Sequence, residues 1–216
     1  MPTVAIVGGT GPEGRGLGLR LAMAGYPVII GSRDASRGAD AAAALRKNDA
    51  GLPITGATNA EAAGDADWVL LSLPYDALND TVGPLTAALV GKLVVSVAAP
   101  LVVKDGHFKP VALPQGSAAE LVQALLPESR VTSAFQNLSA RDLLRPDHVI
   151  EGDVAVCGDV DEARKQTMEL VRAIKDLRPV DAGPLANSCY VENLTGLLLN
   201  LNRIHKSHAT VRFLGI

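Results

Sequence analysis

The chain has 216 residues, 48% of them hydrophobic, which is enough for one large or two small folded units with a substantial core. A formal net charge of −3 leaves no positive excess for a nucleic-acid backbone, and aromatic residues, at 3%, are too few for base-stacking surfaces. We therefore expect no nucleic-acid partner.

The chain carries none of the sequence patterns that direct a protein into or across a membrane. Its longest largely apolar stretch, residues 93–103, is about half the length that crosses a bilayer. The N-terminus has no signal-peptide pattern, and the two cysteines have neither metal-ligand spacing nor the form of a disulfide framework. We expect a cytoplasmic protein with no membrane segment and no bound metal.

The first forty residues read as strand, glycine turn and helix. Residues 3–7 are β-prone or small and apolar, and the pattern Gly9-x-Gly11-x-x-Gly14 follows them before a segment of helical periodicity. Pro12 suits a first helical turn, where a missing N–H costs nothing. A pyrophosphate can bind the free N–H groups of such a helix only if the preceding turn has no bulky side chains. The segment thus predicts a dinucleotide site.

A second predicted strand, residues 27–30, ends at a group of residues that indicates which dinucleotide binds. An NAD-binding protein usually has an acidic residue at this strand end, whereas here Ser32 and Arg33 follow, with Arg37 one helical turn later. A hydroxyl and two guanidinium groups suit the 2′-phosphate of NADP(H). The alternative is a pair of solvated arginines at the start of a helix, where the helix dipole does not favour positive charge.

The rest of the chain alternates between strands and helices, with Asn59 and Ser117 as predicted N-caps and residues 104–116 as a loop. Residues 136–151 have little periodicity and are interpreted as an insertion. The last helix has leucines on most sides and predicts burial against a second subunit. The predicted strands are residues 54–57, 68–73, 93–97, 131–135, 153–157 and 179–181. The predicted helices are residues 35–47, 60–63, 76–90, 117–126, 161–175 and 186–206.

Four motifs resemble those of the NADP oxidoreductases that depend on the deazaflavin coenzyme F420. These are residues 7–14, 30–33, 177–184 and 191–195, of which the third, Leu-Arg-Pro-Val-Asp-Ala-Gly-Pro, is the most particular to that family. The resemblance implies an α/β Rossmann fold, doubly wound, with a mainly parallel sheet. It also implies a small second domain made from the insertion and the C-terminal helices, a homodimer, and hydride exchange between NADPH and the deazaflavin. The expected division is residues 1–186 and 187–216.

The same resemblance assigns site residues by motif. Thr10 to Glu13 would lie on the pyrophosphate, within the turn that Gly9 and Gly14 bound. The residues bordering the nicotinamide would be Leu73, Pro74, Tyr75, Ala98, Ala99 and Ala140. The residues contacting the deazaflavin would be Gln136, Cys189, Asn193 and Thr195. Gln136 and Cys189 stand where well-known members have a histidine and an arginine, and a neutral cysteine cannot pair with an anion as an arginine does.

No side chain is predicted to act as a nucleophile, acid or base, since hydride transfer requires mainly the positioning of two rings. The histidines are scattered and read as solvated structural residues, and Cys189 reads as an inert thiol. Two alternatives stay open. One is an NADPH-dependent reductase of another acceptor, such as an imine, a carbonyl or a flavin; the other is an NADP-sensing module without turnover.

Overall fold

The fold is a single large sheet with helices on both of its faces, as described by a computed structural model that covers residues 1–47 and 49–216. The strands are β1 (Val4–Val7), β2 (Val28–Ser32), β3 (Ile54–Thr58), β4 (Trp68–Leu71), β5 (Leu93–Ser96), β6 (Leu101–Lys104), β7 (His107–Pro110), β8 (Arg130–Ser133), β9 (Gly152–Gly158) and β10 (Leu177–Asp181). The α-helices are α1 (Pro12–Met23), α2 (Ala35–Leu45), α3 (Asn59–Asp65), α4 (Leu78–Val82), α5 (Thr86–Leu89), α6 (Ala118–Leu125), α7 (Ala140–Leu143), α8 (Asp161–Ala173) and α9 (Ser188–His205).

The eight-stranded sheet has the order β10-β9-β8-β5-β4-β1-β2-β3. The six neighbouring strands β8, β5, β4, β1, β2 and β3 are parallel to one another, whereas β9 runs antiparallel to β8. Every residue of β1, β4 and β5 is buried, because helices cover both faces. One core lies under α1, α2 and α8 and the other under α3 to α6. The predicted doubly wound Rossmann fold is confirmed, with its switch point between β1 and β4.

The predicted insertion lies between β8 and β9 and contains the short helix α7. It is held to α1 by Arg20, whose buried guanidinium donates hydrogen bonds to the carbonyl oxygens of residues 142, 143, 145, 146 and 148. A planar guanidinium with its donors fixed in a fork suits such a set of carbonyl groups. The insertion is thus fastened to the first βα unit.

Asn59 is not the N-cap that the sequence predicted. The cap of α3 is Thr58, which forms a reciprocal capping box with Glu61. Both residues can cap a helix, and the β-region backbone of Thr58 decides which of them does so. The side chain of Asn59 turns instead toward the glycine turn, where its Oδ1 accepts the Gly8 N–H at 3.1 Å.

Two further expectations about elements are wrong. The predicted loop at residues 104–116 begins inside a β-hairpin, β6–β7, whose turn residues Asp105 and Gly106 have φ of 52° and 75°. An Asp-Gly pair of this kind is a strong hairpin signal, but β6, with the sequence Leu-Val-Val-Lys, shows no alternation of polar and apolar residues beside it. The single helix expected over residues 76–90 is broken into α4 and α5 at Gly83-Pro84, because proline lacks the N–H that continues a helix.

Helix α9 is fastened to the sheet and to α6 by buried polar contacts. The hydroxyls of Ser188 and Ser133 lie 2.7 Å apart. The carboxylate of Glu192, which is 1% exposed, accepts the N–H groups of Ala118 and Ala119 at 2.9 and 3.1 Å, at the start of α6. Burial raises the pKa of Glu192 to about 7, although both backbone N–H groups act to lower it. Across residues 1–47 and 49–216, no helix has the length and apolarity that crossing a membrane requires.

The buried Glu192 makes the stability of the fold depend on pH. Its pKa is higher in the folded chain than in the unfolded chain, so its contribution is complete below about pH 4.5 and is lost as pH rises through 7. We expect the free energy of unfolding of the unmodified protein to fall by about 2–3 kcal/mol between pH 5 and pH 8 relative to Glu192→Gln. Urea unfolding at both pH values measures this difference.

The exposed Glu162 provides the control, because Glu162→Gln changes the same functional group on the surface of α8. It should leave the pH dependence of unfolding unchanged. Parallel pH profiles for the unmodified protein and Glu192→Gln would contradict the assignment of Glu192.

Candidate functional site

The candidate site lies at one edge of the sheet, where the carboxyl ends of β1, β2, β4, β5 and β8 meet. Ligands of doubly wound sheets bind at this edge, in the crevice at the switch point. Because β9 is antiparallel to β8, the insertion that joins them lies at the same edge. The predicted cofactor residues follow β1, β2, β4 and β5, and Ala140 lies in the insertion. The topology therefore gathers the predicted residues along one edge.

The glycine turn has the geometry of a phosphate-binding turn. A Cβ on Gly14 would lie 2.7 Å from the Cα of Gly9, so α1 approaches the end of β1 as closely as a backbone allows. A Cβ on Gly11 would meet only the Gly8 carbonyl oxygen, at 3.9 Å, and would otherwise point into open space. No side chain caps the first turn of α1, and its free N–H groups suit an anion. These features fit a bound pyrophosphate.

The end of β2 provides the polar and cationic groups predicted for a 2′-phosphate. Ser32 is the last residue of β2 and is buried, whereas Arg33 and Arg37 are exposed. Asp34, the acid directly after Arg33, is the N-cap of α2, and its carboxylate accepts the N–H and hydroxyl of Ser36 at 2.8 and 2.7 Å. These hydrogen bonds hold the pKa of Asp34 below its usual value. The acid is therefore engaged in capping.

The residues predicted to border the nicotinamide follow the two central strands. Leu73 packs over the turn, because a Cβ on Gly8 would lie 2.4 Å from its Cδ2. Pro74 and Tyr75 come next and begin a 3-10 turn. Ala98 and Ala99 follow β5, and both are small enough to leave space at the sheet edge. The residues that follow β4 and β5 are thus mostly apolar, and the two alanines among them leave space at the edge of the sheet.

A pocket of about 370 Å³, which we call the α9 pocket, lies between the glycine turn, the insertion and the second half of α9. Glu13 lines it on the side of the turn, Gln136 and Ala140 on the side of the insertion, and Thr195 on α9. The Thr195 hydroxyl donates to the Gln136 carbonyl oxygen at 3.1 Å and so joins two of these walls. The segment after α9, residues 206–216, which we call the tail, completes the lining of the pocket with His208 and Ala209.

The side-chain amide of Gln136 makes the α9 pocket a candidate binding site. Both its oxygen and its nitrogen are buried, and neither has a hydrogen-bond partner among the described residues. A buried amide without partners costs about 1–3 kcal/mol, which a ligand with both a donor and an acceptor would recover. The polar requirement of this wall therefore fits a heterocycle that carries carbonyl and N–H groups.

Glu13 lies in the glycine turn, but its side chain faces the α9 pocket. The side chain is partly covered as a whole, whereas its Oε1 is fully buried and has no hydrogen-bond partner in the described chain. Burial raises the pKa of this carboxyl to about 8, so that it is mostly neutral at pH 7. A neutral carboxyl does not repel phosphates bound to the turn.

The structure brings together only part of the predicted acceptor set. Gln136 and Thr195 line the α9 pocket, while Cys189 and Asn193 lie nearer the start of α9, and neither lines it. His208 also lines the pocket, and it is exposed to solvent, in line with the solvated role predicted for it. Its partner is Asp142, whose Oδ2 lies 2.6 Å from the ring Nδ1. A pair 66 residues apart leaves no signal in the sequence.

The chain is similar in sequence and in fold to known proteins. The family model described as NADP oxidoreductase, coenzyme F420-dependent, matches residues 3–100. The F420-dependent NADP reductase of Methanocaldococcus jannaschii is 41% identical over 96% of this chain and 95% of its own length. That of Methanothermobacter marburgensis is 38% identical over 92% of each chain. The crystal structure of a candidate F420-dependent NADP reductase from Arthrobacter sp. FB24 covers 99% of this chain and 98% of its own, with a TM-score of 0.81 at 21% identity.

Two glycine substitutions separate binding from folding. Gly11→Ala adds a methyl group in open space at an extended residue, so the free energy of unfolding should change by less than about 1 kcal/mol. The same methyl group should raise the Kd of NADPH about tenfold or more, because it occupies the approach of the pyrophosphate. Fluorescence titration with NADPH measures this Kd.

Gly14→Ala is the matched control for folding. Its methyl group would press on Gly9, and we expect a loss of about 1–3 kcal/mol in the free energy of unfolding. If Gly11→Ala bound NADPH as tightly as the unmodified protein, the turn would not be the pyrophosphate site.

Proposed function

The chain belongs to the family of F420-dependent NADP reductases, and from this premise we propose that it transfers a hydride between NADP(H) and coenzyme F420 at the edge of the sheet. The observation that carries the proposal is the unpartnered amide of Gln136 in the α9 pocket, which Glu13 joins to the glycine turn. A dinucleotide on the turn and an acceptor in the pocket would be neighbours, as direct hydride transfer requires.

We propose the following roles for the predicted residues. The first-turn N–H groups of α1 bind the pyrophosphate, with Gly11 leaving room for it. Ser32, Arg33 and Arg37 bind the 2′-phosphate. Gln136 and Thr195 contact the acceptor, and Cys189 and Asn193 belong to the approach to it along α9. Residues 187–216, with the insertion, act as the acceptor-binding unit beside the NADP-binding unit of residues 1–186.

NADPH, when bound, supplies a hydride from its nicotinamide ring. The chain's own contribution is to orient the two partners and to exclude water. Leu198 and Leu199 supply apolar walls to the α9 pocket, and Ala98 and Ala99 leave room for a ring. The hydride and one proton together complete the reduction of the acceptor. Water can supply that proton, so no protein side chain is assigned to its transfer and positioning accounts for most of the rate.

A stopped-flow reaction of the purified protein with NADPH and oxidised F420 tests the function. We expect the absorbance of oxidised F420 to fall as NADPH is consumed, with one equivalent of F420 reduced for each equivalent of NADPH oxidised. Tight NADPH binding without turnover of F420 would contradict the proposal. Parallel assays with an imine, a carbonyl and a flavin would then show whether another acceptor reacts or whether the protein only senses NADP.

Cofactor preference provides a second test. Charge-assisted hydrogen bonds contribute roughly 1.5–3 kcal/mol each, so a 2′-phosphate held by Ser32 and two arginines should favour NADPH over NADH by about a hundredfold or more. Arg33→Ala should remove most of this preference by weakening NADPH alone. The ratio of the two Kd values measures it.

Arg46, at the other end of α2, is the matched control, because Arg46→Ala removes an exposed arginine at the far end of that helix from the predicted phosphate site. Its ratio of Kd values should equal that of the unmodified protein. Equal affinity of the unmodified protein for NADH and NADPH would exclude the 2′-phosphate assignment.

We also propose that the protein is a homodimer that pairs through α9. Tyr190, Leu197 and Ile204 are 71%, 55% and 68% exposed and recur every seven residues, which places them along one face of the helix. An exposed apolar stripe of this length is typical of a subunit interface. The two unpaired cysteines support a reducing cytoplasm as the location.

Light scattering after size exclusion tests this interface. Leu197→Asp places a charge in the middle of the stripe and should convert the dimer to monomer, because an unpaired charge is costly to bury. Val149→Asp is the control, since Val149 is 54% exposed and lies in the insertion. A monomeric unmodified protein, or a dimer in Leu197→Asp, would contradict the proposed pairing.

A further inference from the structure

The tail after α9 is fixed in place and brings His208 to the α9 pocket. Lys206 ends the helix in the left-handed conformation, and the Asn202 side-chain oxygen then accepts the Ala209 N–H. Further on, the carbonyl oxygen of Val211 accepts the N–H of Asp153, at the start of β9, at 2.7 Å. The segment between these anchors is therefore held on both sides, and the position of His208 does not depend on its own side chain alone.

The ring of His208 is oriented by a buried carboxylate. Asp142 is 5% exposed, and its Oδ2 lies 2.6 Å from His208 Nδ1. Its other oxygen, Oδ1, lies 3.5 Å from His148 Nε2 and 4.0 Å from Arg145 Nη1. A carboxylate opposite Nδ1 fixes the proton on that nitrogen and leaves Nε2 for another partner. Within residues 1–47 and 49–216, Nε2 of His208 has no hydrogen-bond partner of its own.

The charge pattern of the α9 pocket gives His208 a particular role. Among the described residues that line this pocket, His208 is the side chain that can carry a positive charge, and Glu13 is the acid. Cys189 and Asn193, which the motifs assigned to the acceptor, do not line the pocket and cannot supply a cation. A polar ligand edge rich in carbonyl oxygens would thus meet the Gln136 amide on the insertion and the imidazole on the tail.

We propose that His208 is a specificity-determining contact of this reductase, with its Nε2 hydrogen-bonded to a carbonyl or anionic oxygen of the acceptor and its ring positioned by Asp142. The inference rests on the proposed function, since it takes the α9 pocket as the acceptor site. Gln136, which can donate and accept, then pairs with the adjoining N–H or carbonyl group of the same heterocycle. The tail becomes part of the binding site.

Two substitutions distinguish a ligand contact from a structural role. Asparagine places its amide nitrogen near the position of Nδ1, so His208→Asn keeps a donor for Asp142 and loses the pocket contact. Glutamine places its amide nitrogen near the position of Nε2, so His208→Gln keeps the pocket contact and loses the bond to Asp142. A ligand contact and a structural role therefore predict opposite rankings of the two variants.

We expect His208→Asn to raise the KM for F420 about tenfold or more, and His208→Gln to raise it by less than about threefold. The Kd of NADPH should stay within about twofold in both variants, because the dinucleotide lies on the glycine turn. Thermal melting of both variants reports any loss of folding. His205→Asn, an exposed histidine on α9, is the control and should change neither quantity.

Three outcomes would overturn the inference. A larger effect of His208→Gln than of His208→Asn, with a lowered melting temperature, would mean that the imidazole only braces Asp142. If the unmodified protein reduced F420 and His208→Asn had the same KM for F420, His208 would not contact the acceptor, and the proposed function would be unaffected. An unmodified protein without any turnover of F420 would overturn the proposed function and the inference together.

Discussion

The close approach of α1 to the end of β1 is the constraint on which the site depends. With a Cβ on Gly14, that carbon would lie 2.7 Å from the backbone of Gly9, so only glycines permit this distance. The same helix makes a second close contact, because a Cβ on Gly16 would lie 2.5 Å from Leu143 Cβ in the insertion. Arg20, farther along α1, then secures the insertion through its backbone carbonyls. One helix thus sets both the dinucleotide turn and the wall of the α9 pocket.

The polar groups of the pocket are held by different means from those of the core. Glu192 is buried with both of its carboxylate oxygens bonded to N–H groups, so it joins α9 to α6. Gln136 is also buried and Glu13 is partly buried, but both have buried polar atoms that no described residue contacts. Because unpaired buried polar groups are costly, they concentrate where a ligand supplies the missing partner. The paired carboxylate of Glu192 fits a structural role, and the unpaired atoms of Gln136 and Glu13 fit a ligand site.

The predicted alternation of strands and helices was confirmed in its order and in most of its positions, because it rests on local patterns. Continuous apolar runs produced the buried parallel strands, and the glycine spacing produced the turn. Local competition decided the errors: Thr58 displaced Asn59 as a cap, Gly83-Pro84 broke a helix, and Asp105-Gly106 formed a hairpin after a strand without alternation. Each of these features involves only neighbouring residues, so turn and capping chemistry in the sequence is enough to predict it.

The sequence was enough to assign the fold class and the family and to predict a dinucleotide turn, since each depends on short contiguous motifs. It also determined that Gln136 and Thr195 lie on different segments, but not that a hydrogen bond joins them. The folded chain places Glu13 against the pocket and leaves Cys189 and Asn193 out of its lining. It also brings Asp142 to His208. These placements depend on how α1, α9 and the tail pack around the edge of the sheet. Packing unites residues that lie far apart in the chain, and local periodicity carries no information about such pairs.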